Sequence, residues 1–507
     1  MNHVFAQQSP RVSPRRVPLA GQVISVVPLF VFVALIAQAW LRNGVLTWSV
    51  GIAYILYDTA LLVFTAWAVW PLRKGPPPIA PPIVAAMMTG VEPRRPKLGV
   101  IVAAHNEAGV LGLTIEALAD QAEPPELILL ADDGSSDDTP AVLKRLYGLE
   151  TPALGEMSGP APGMPSLRWL RVPHGGKARA LNAALLHADT EVVLTVDADT
   201  LIAPGALTAM RGAFAVEPAL VAATGVLAPI CGPTPMARLF QWFQSYEYVR
   251  NFLSRHAWEG QRGLLLVSGA FAAFRRSAVI EVGGFDPDCM VEDYELIHRL
   301  HRHAADTGQD WTVRVIGGAL ASTDAPASPM AFLRQRRRWF GGFLQTQHWN
   351  RDMVGNAHYG RLGTRMLVVK ALDTLQPVYG MAAFVILVVL VATGRFGLAL
   401  PILLIMVIKV VVDLAFHLWS LGIYKRWTGQ TRGLEIGPAL LASFAEPFSF
   451  QLLRHAGAIW GWFAFLSGRE RWVRNERTAL VAPLGNDARV RDVAMPDEPG
   501  AETRGPS

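Results

Sequence analysis

Two apolar runs near the start of the chain, residues 23–41 and 46–70, restrict what this polypeptide can become. The first is broken only by Ser25 and Gln38, and a very short turn around Arg42 and Asn43 separates the two. Each is long enough to cross a bilayer, which takes about 20 residues of helix. A backbone in lipid must satisfy its own hydrogen bonds, so both are expected as transmembrane helices. A signal-peptide core would be shorter, and no convincing cleavage site follows. Apolar runs return at 366–393 and 396–421. A further run, 436–466, is interrupted by Glu446, Pro447, Arg454 and His455. It is too short for two spans, and one span would leave Arg469, Arg471, Arg474 and Arg477 on the outer face. It is therefore expected to dip into the membrane or lie along it. Arg11, Arg15 and Arg16 precede the first pair of runs, and Arg73 and Lys74 close it. Basic residues at both ends place those ends in the cytoplasm. The expectation is a multi-pass protein of the cell (inner) membrane, with the block between the two pairs cytoplasmic.

The 507 residues are 51% hydrophobic and only 17% charged, against a usual charged fraction of about 25%. Formal net charge is +5. On a lipid bilayer this reads as cytoplasmic Lys and Arg facing anionic lipid, and no nucleic acid partner is expected. Cys231 and Cys289 are the only cysteines, which gives neither a zinc spacing nor a disulfide framework.

Pro76, Pro77, Pro78, Pro81, Pro82, Pro93 and Pro96 mark a semi-extended linker. From Leu98 the texture changes. Residues 98–104, 126–132, 167–172, 191–196, 220–225 and 264–271 read as strands, and 107–121, 137–148, 176–188 and 204–216 as helices. Such alternation predicts an α/β domain with a doubly wound, mostly parallel sheet. The Gly-, Pro- and Ser-rich stretch 149–166 is expected as a surface insertion. The expected organisation is therefore a tail and two spans (1–74), a linker (75–97) and an α/β domain (98–330). Amphipathic interface helices (331–360), membrane segments (366–466) and a disordered tail (478–507) follow.

The organising stretch is EVVLTVDAD, 191–199. Its short β-branched run reads as a buried parallel strand. Ligands of open α/β sheets bind beyond the carboxyl ends of the strands, where Asp197 and Asp199 fall. Alternation along an extended chain would point both carboxylates the same way. Two hard oxygen ligands there suit Mg²⁺ or Mn²⁺ carrying a diphosphate. In isolation, two such aspartates are more simply read as capping a strand and opening a turn before Pro204.

Four further constellations lie in the block. HNE (105–107) and ADDGSSDDT (131–139) follow the first two strands, where a nucleotide would lie. Asn106, Glu107, Asp132 and Asp133 are the candidate contacts there; the alternative is a turn with an N-cap. GGKARALN (175–182) brings Lys177 to a helix start, where exposed N–H groups favour phosphate; it is not a P-loop, since Arg171 and Ala178 break that pattern. VED (291–293) offers Glu292 and Asp293 as carboxylates for general base work on a hydroxyl, or as simple helix N-terminal charges. QRRRW (335–339) combines arginines matched to phosphate oxygens with a tryptophan face for a sugar or base; alone it better suits a basic helix on anionic lipid.

In the order HNE, DDGS, GGK, DAD, SGAF (268–271), ED and QRRRW, between two membrane blocks, the chain resembles the family 2 glycosyltransferases of GT-A fold. Within them it is similar to the membrane-embedded processive synthases of cellulose, hyaluronan and poly-N-acetylglucosamine. The resemblance implies a GT-A, Rossmann-like mixed sheet inserted between transmembrane helices. It implies a UDP-sugar donor, a glycan or glycolipid acceptor, a Mg²⁺ or Mn²⁺ cofactor and room for accessory export subunits. By position, Asp132 matches the nucleotide-contacting aspartate and Lys177 the lysine beside the diphosphate. Asp197 and Asp199 match the metal-binding D-x-D, with Asp199 the direct ligand. Asp293 matches the general base, and Gln335, Arg338 and Trp339 match Q-x-x-R-W. Ala104 replaces a common proline, and Val291 replaces the threonine before Glu292. The implied reaction is a single inverting displacement that lengthens a polysaccharide and couples to its export. The alternative is one sugar added to a membrane lipid. A transporter is the rival outside enzymes, on the strength of Lys370, Asp373, Lys409, Asp413 and His417 within apolar runs. The last three, at i, i+4 and i+8, are expected to line a polymer path.

Overall fold

The computed structural model describes residues 8–41, 44–75, 94–430 and 434–468. Most of the proline-rich linker, the arginines after 468 and the tail 478–507 lie outside these residues. Two helices, α1 (Leu19–Leu41) and α2 (Ser49–Val69), form the first membrane pair. The sheet strands are β1 (Leu98–Ala104), β2 (Leu127–Asp133), β3 (Leu167–Val172), β4 (Val192–Asp197), β5 (Thr200–Ile202), β6 (Leu220–Ile230), β7 (Phe271–Arg275) and β8 (Thr312–Asp324). They form one sheet in the order β3-β2-β1-β4-β7-β6-β8-β5. The first four are parallel, β7 runs antiparallel between β4 and β6, and β5 is antiparallel to β8. Helices α3 (Leu111–Ala119), α4 (Thr139–Tyr147), α5 (Lys177–His187) and α6 (Ala206–Val216) alternate with these strands. The central strands are buried along almost their whole length, as their Val- and Leu-rich composition requires of strands covered on both faces.

The apolar run 264–271 is not a strand. Residues 264–268 are irregular and pass through a turn at 269–270; the strand begins at Phe271. An apolar run of this length marks burial, and it is buried here as a wall of the cavity described below. Strands β5 and β8 and a helix α7 (Pro235–Glu259) have no counterpart in the sequence reading. Thr234 caps α7 by accepting from the Ala237 N–H at 3.2 Å, with Pro235 opening the first turn. Helices α8 (Arg276–Glu281), α9 (Glu292–Thr307) and α10 (Pro329–Trp349) complete the block.

Two long apolar helices follow, α11 (Leu367–Ala392) and α12 (Phe396–Thr428). With α1 and α2 they make four helices, among the described residues, long and apolar enough to cross a membrane. The run 436–466 splits at Glu446–Phe448 into α13 (Ile436–Ala445) and α14 (Phe450–Leu466). α14 lies along α10: a Cβ on Gly461 would stand 2.6 Å from the Arg337 carbonyl, and one on Gly457 2.7 Å from the Arg336 Cβ.

Candidate functional site

The order β3-β2-β1-β4 reverses direction at β1, so the connections from β1 and β4 leave to opposite sides. The crevice this opens lies at the carboxyl ends of those strands. β4 ends at Asp197, paired in register with Ala103 of β1. The chain then turns through 198–199 into β5. Asp199 is therefore past the strand, and strand alternation does not set its direction. The turn does: Thr114 of α3 donates to the Ala198 carbonyl at 2.6 Å. Asp197 and Asp199 still line one cavity, with Asp199 buried to 5% exposure.

Lys177 opens α5 directly opposite. Its Nζ lies 2.6 Å from Asp197 Oδ1 and 3.5 Å from Glu292 Oε1. Burial opposes charge on this lysine, but Asp197, Glu292 and Asp293 outweigh it and hold the ammonium well above its ordinary range. Burial also pushes the Glu292 carboxyl up, against the pull of Lys177. Asp293 is held at both oxygens: Oδ2 accepts the Gly269 N–H at 2.7 Å and Oδ1 the Tyr294 N–H at 2.8 Å. A Cβ on Gly269 would stand 3.0 Å from Asp293 Oδ2 and 3.3 Å from Lys177 Nζ. The glycine of SGAF thus lets one backbone N–H reach the carboxylate between two charged side chains. Its motif was visible in the sequence, but this role was not.

α10 brings Gln335, Arg338 and Trp339 to the same cavity. Ser328 caps this helix, accepting the Ala331 N–H at 3.4 Å. Gln335 Oε1 is buried with no hydrogen-bond partner among the described residues. The residue that seats this motif is one the sequence did not single out, Arg336. Its guanidinium lies 4.3 Å from the Trp339 ring centre and 4.4 Å from that of Phe332, and it pairs with buried Glu247 of α7 at 2.6 Å. The first arginine of QRRRW therefore packs inward and fixes the tryptophan.

The first two motifs sit at the neighbouring strand ends and do not line this cavity. Asn106 takes φ +58 and its Oδ1 accepts the N–H groups of Ser136 and Asp137. Asp132 is turned inward, 1% exposed, accepting from the Ser135 N–H at 2.8 Å and the Trp169 indole at 3.2 Å. Asp133 accepts from the N–H groups of Gly175 and Gly176 and pairs with His174. Glu107 is also buried. Asp133 thus ties the DDGS turn to the GGK turn, a scaffolding duty distinct from both the nucleotide contact and the N-capped turn that the sequence offered. What they leave at the rim is a stacked pair, His105 and His174, with ring centres 4.3 Å apart.

From the chemistry-bearing groups the cavity, about 440 Å³, runs on between the membrane helices to Asp58, Gln376, Arg454 and His455. Lys370 and Asp373 line it and pair with each other at 3.1 Å. Lys409, Asp413 and His417 do not line it. Lys409 pairs with Asp413 and, at 2.8 Å, with Asp58, while His417 is bonded to Ser443. The stripe expected to line a path instead joins helices. A group that does line the cavity, and that no sequence pattern marked, is Arg255 of α7. Its Nε and Nη1 are buried without a hydrogen-bond partner among the described residues, and burial lowers its pKa to about 10.

Residues 99–283 match the sequence profile of glycosyl transferase family 2, and residues 192–408 that of glycosyl transferase family group 2. A β-monoglucosyldiacylglycerol synthase of Synechocystis is 27% identical over 304 residues, which is 56% of this chain and 57% of the relative. A poly-β-1,6-N-acetyl-D-glucosamine synthase of Staphylococcus epidermidis is 25% identical over 250 residues, 48% of this chain and 54% of the relative. The chain thus spans little more than half the length of these curated relatives. A mannosyltransferase of Pyrobaculum calidifontis, solved in complex with GDP-Man and Mn²⁺, shares the fold at a TM-score of 0.51 and 20% identity. That alignment covers 80% of this chain and 99% of the other. The two profiles together cover the sheet, its crevice and the first C-terminal membrane helices. With four apolar helices around a GT-A sheet, the chain belongs to the membrane-embedded family 2 glycosyltransferases.

Proposed function

We propose that the protein transfers a hexose or N-acetylhexosamine from a UDP-sugar, with inversion, to a growing polysaccharide, and passes the product toward the membrane. One observation carries this reading: a single cavity joins Lys177, Asp197, Asp199, Asp293 and Trp339 to polar side chains between the membrane helices. The donor enters at the sheet end and the acceptor from the membrane end. Asp293, aimed by two backbone N–H groups, takes the proton from the acceptor hydroxyl. The hydroxyl oxygen attacks the anomeric carbon as the bond to the diphosphate breaks. Lys177 and Arg338 neutralise the charge that the leaving diphosphate gains, and Trp339 offers a face to the sugar. Asp132, Asp133, Asn106 and Glu107 hold the turns on which the nucleotide rests.

The turn at 197–199 presents carboxylates, and β8 faces it with Thr323 and Asp324. Oxygen donors of this kind fit Mg²⁺ or Mn²⁺. Asp197 and Asp199 would hold the cation, which when bound supplies positive charge beside the diphosphate. The basic residues Arg11, Arg15, Arg73 and Lys74 flank the first helix pair. This supports a cytoplasmic catalytic domain on the inner membrane.

The second reading is transfer of one sugar to a lipid acceptor. It is favoured by the withdrawal of Lys409, Asp413 and His417 from the cavity, which shortens any polar path for a polymer. Turnover by detergent-solubilised protein against a panel of UDP- and GDP-sugars tests both. We expect a UDP-sugar to be consumed, EDTA to abolish turnover and Mg²⁺ or Mn²⁺ to restore it. A ladder of products by mass spectrometry supports the polymer, and a single glycosylated lipid supports the second reading. Full turnover in chelator removes the metal from the proposal.

A further inference from the structure

The segment just before α1 crosses the α/β block and is bonded to the loop that leads into Glu292 and Asp293. Ser9 Oγ donates to Asp286 Oδ2 at 2.9 Å, and Arg11 Nε lies 2.9 Å from the same oxygen. Asp286 is fully buried, and among the described residues Arg11 is the one cation within ion-pair distance of it. The Arg11 guanidinium also sits 3.5 Å from the ring centre of Trp349, the last residue of α10, and reaches Asp288 at 3.4 Å. Pro10 closes on Gly283, φ +91, where a Cβ would stand 2.7 Å from the proline Cβ. Arg15 donates its N–H to Asp352 and pairs with Asp306 at the end of α9. α1 begins four residues later, with Gly21 so close to Val354 that a Cβ would stand 2.5 Å from its carbonyl oxygen.

We propose that residues 9–15 are a strap that positions the catalytic base, with Arg11 its positioning residue. A buried carboxylate left without a cation is strongly unfavourable; the Ser9 hydroxyl and the Asp288 N–H donate to Asp286, but Arg11 alone neutralises its charge among the described residues. With Asn182, which bonds the N–H and carbonyl of Phe285, and Arg299, which donates to the Gly284 carbonyl, the pair fixes the 283–288 turn, and that turn sets where α9 begins, hence where Asp293 points. The stack on Trp349 ties the same arginine to the far end of the helix that carries Gln335, Arg338 and Trp339. Base and donor clamp are thereby held in one frame, anchored to α1. Displacing a catalytic group by about 1 Å costs as much as 10²-fold in rate, so a contact some distance from the chemistry can govern it.

The inference rests on Asp293 acting as base in a glycosyl transfer. The experiment compares Arg11→Ala, Arg11→Lys and Asp293→Asn in the full-length protein. It reads kcat, KM for the donor, calorimetric UDP affinity and the thermal midpoint. For Arg11→Ala we expect kcat to fall by about ten- to a hundredfold with UDP affinity within twofold, and for Arg11→Lys a partial return. If Arg11→Ala does not fold, the charge-free pair Arg11→Met with Asp286→Asn replaces it and is expected to show the same split. Unchanged kcat overturns the strap, as does a parallel loss of kcat, UDP affinity and thermal midpoint. Wild-type turnover by Asp293→Asn, by contrast, overturns the base assignment itself.

Discussion

A carboxylate serves as a base only where it is aimed, and the aim of Asp293 depends on a residue with no side chain. Gly269 delivers its N–H to Oδ2 at 2.7 Å, and the first turn of α9 delivers the Tyr294 N–H to Oδ1. Each oxygen keeps a second lone pair for an acceptor proton. Asp199 stands in a different place, buried in the turn beyond β4. The two aspartates should therefore fail differently. Asp293→Asn keeps the shape and removes the charge that accepts the proton. We expect near-normal UDP affinity with Mn²⁺ and a loss of transfer of about 10²-fold or more. Asp199→Asn should weaken Mn²⁺-dependent UDP binding as well as turnover. Calorimetry alongside initial rates separates the two. If Asp293→Asn turns over within a few fold of wild type, Glu292 is the next candidate, since it lies in the same cavity 3.5 Å from Lys177.

At the scale of elements, the helix carrying Gln335, Arg338 and Trp339 is placed by its neighbour. α10 and α14 meet backbone to backbone at Gly341, Gly457 and Gly461. Small residues permit that approach, and a larger one forces the helices apart. Gly461→Val should cost about 1–3 kcal/mol through overpacking and should lower transfer by shifting Trp339. A fall in both thermal midpoint and kcat checks this, and a variant with wild-type values would detach α14 from the site. This pairing also shows where the sequence ceased to be legible. Parallel strands β1 to β4 were read to within a residue, because short apolar runs bounded by turn residues and alternating with helical segments are a clear signal. Residues 436–466 were read as dipping into the membrane or lying along it; that α14 faces α10 was not legible, because apolar composition cannot distinguish lipid from a facing helix. α7 has no clean apolar stripe: its buried face mixes Phe240 and Phe243 with Gln244 and Glu247. Without a periodic pattern it passed unnoticed, and with it Glu247, Arg250 and Arg255. The motif residues were legible as chemistry, yet which of them face the cavity depends on pairings distant in sequence. Asp132 satisfied by Trp169 and Arg336 satisfied by Glu247 are two such cases.

At the scale of the whole molecule, the membrane helices and the α/β block are joined by buried charge. Asp58 of α2 is 2% exposed. It pairs with Arg250 of α7 at 2.6 Å and Lys409 of α12 at 2.8 Å, and accepts from Gln376 of α11 at 3.3 Å. One carboxylate thus links three membrane helices to a helix that walls the cavity. Such a cluster is no guarantee of stability, because desolvation offsets much of its attraction, but breaking one partner out of it is costly. The two cations bonded to Asp58 are not equally exposed to its loss. Lys409 keeps Asp413, whereas Arg250 has no other carboxylate within ion-pair distance among the described residues. Asp58→Asn should therefore destabilise the protein by about 3–5 kcal/mol, mainly through the stranded arginine. Arg250→Met added to Asp58→Asn should restore part of that loss, and the pair should be strongly non-additive. Thermal midpoints of the two single variants and the double variant in detergent give the coupling directly. Transfer measured on the same samples tells whether the link matters to function. If the double variant regains stability but not turnover, α7 must be held to the membrane helices for the cavity to work. If Asp58→Asn alone keeps the wild-type midpoint, water reaches the cluster and Arg250 is solvated from the cavity.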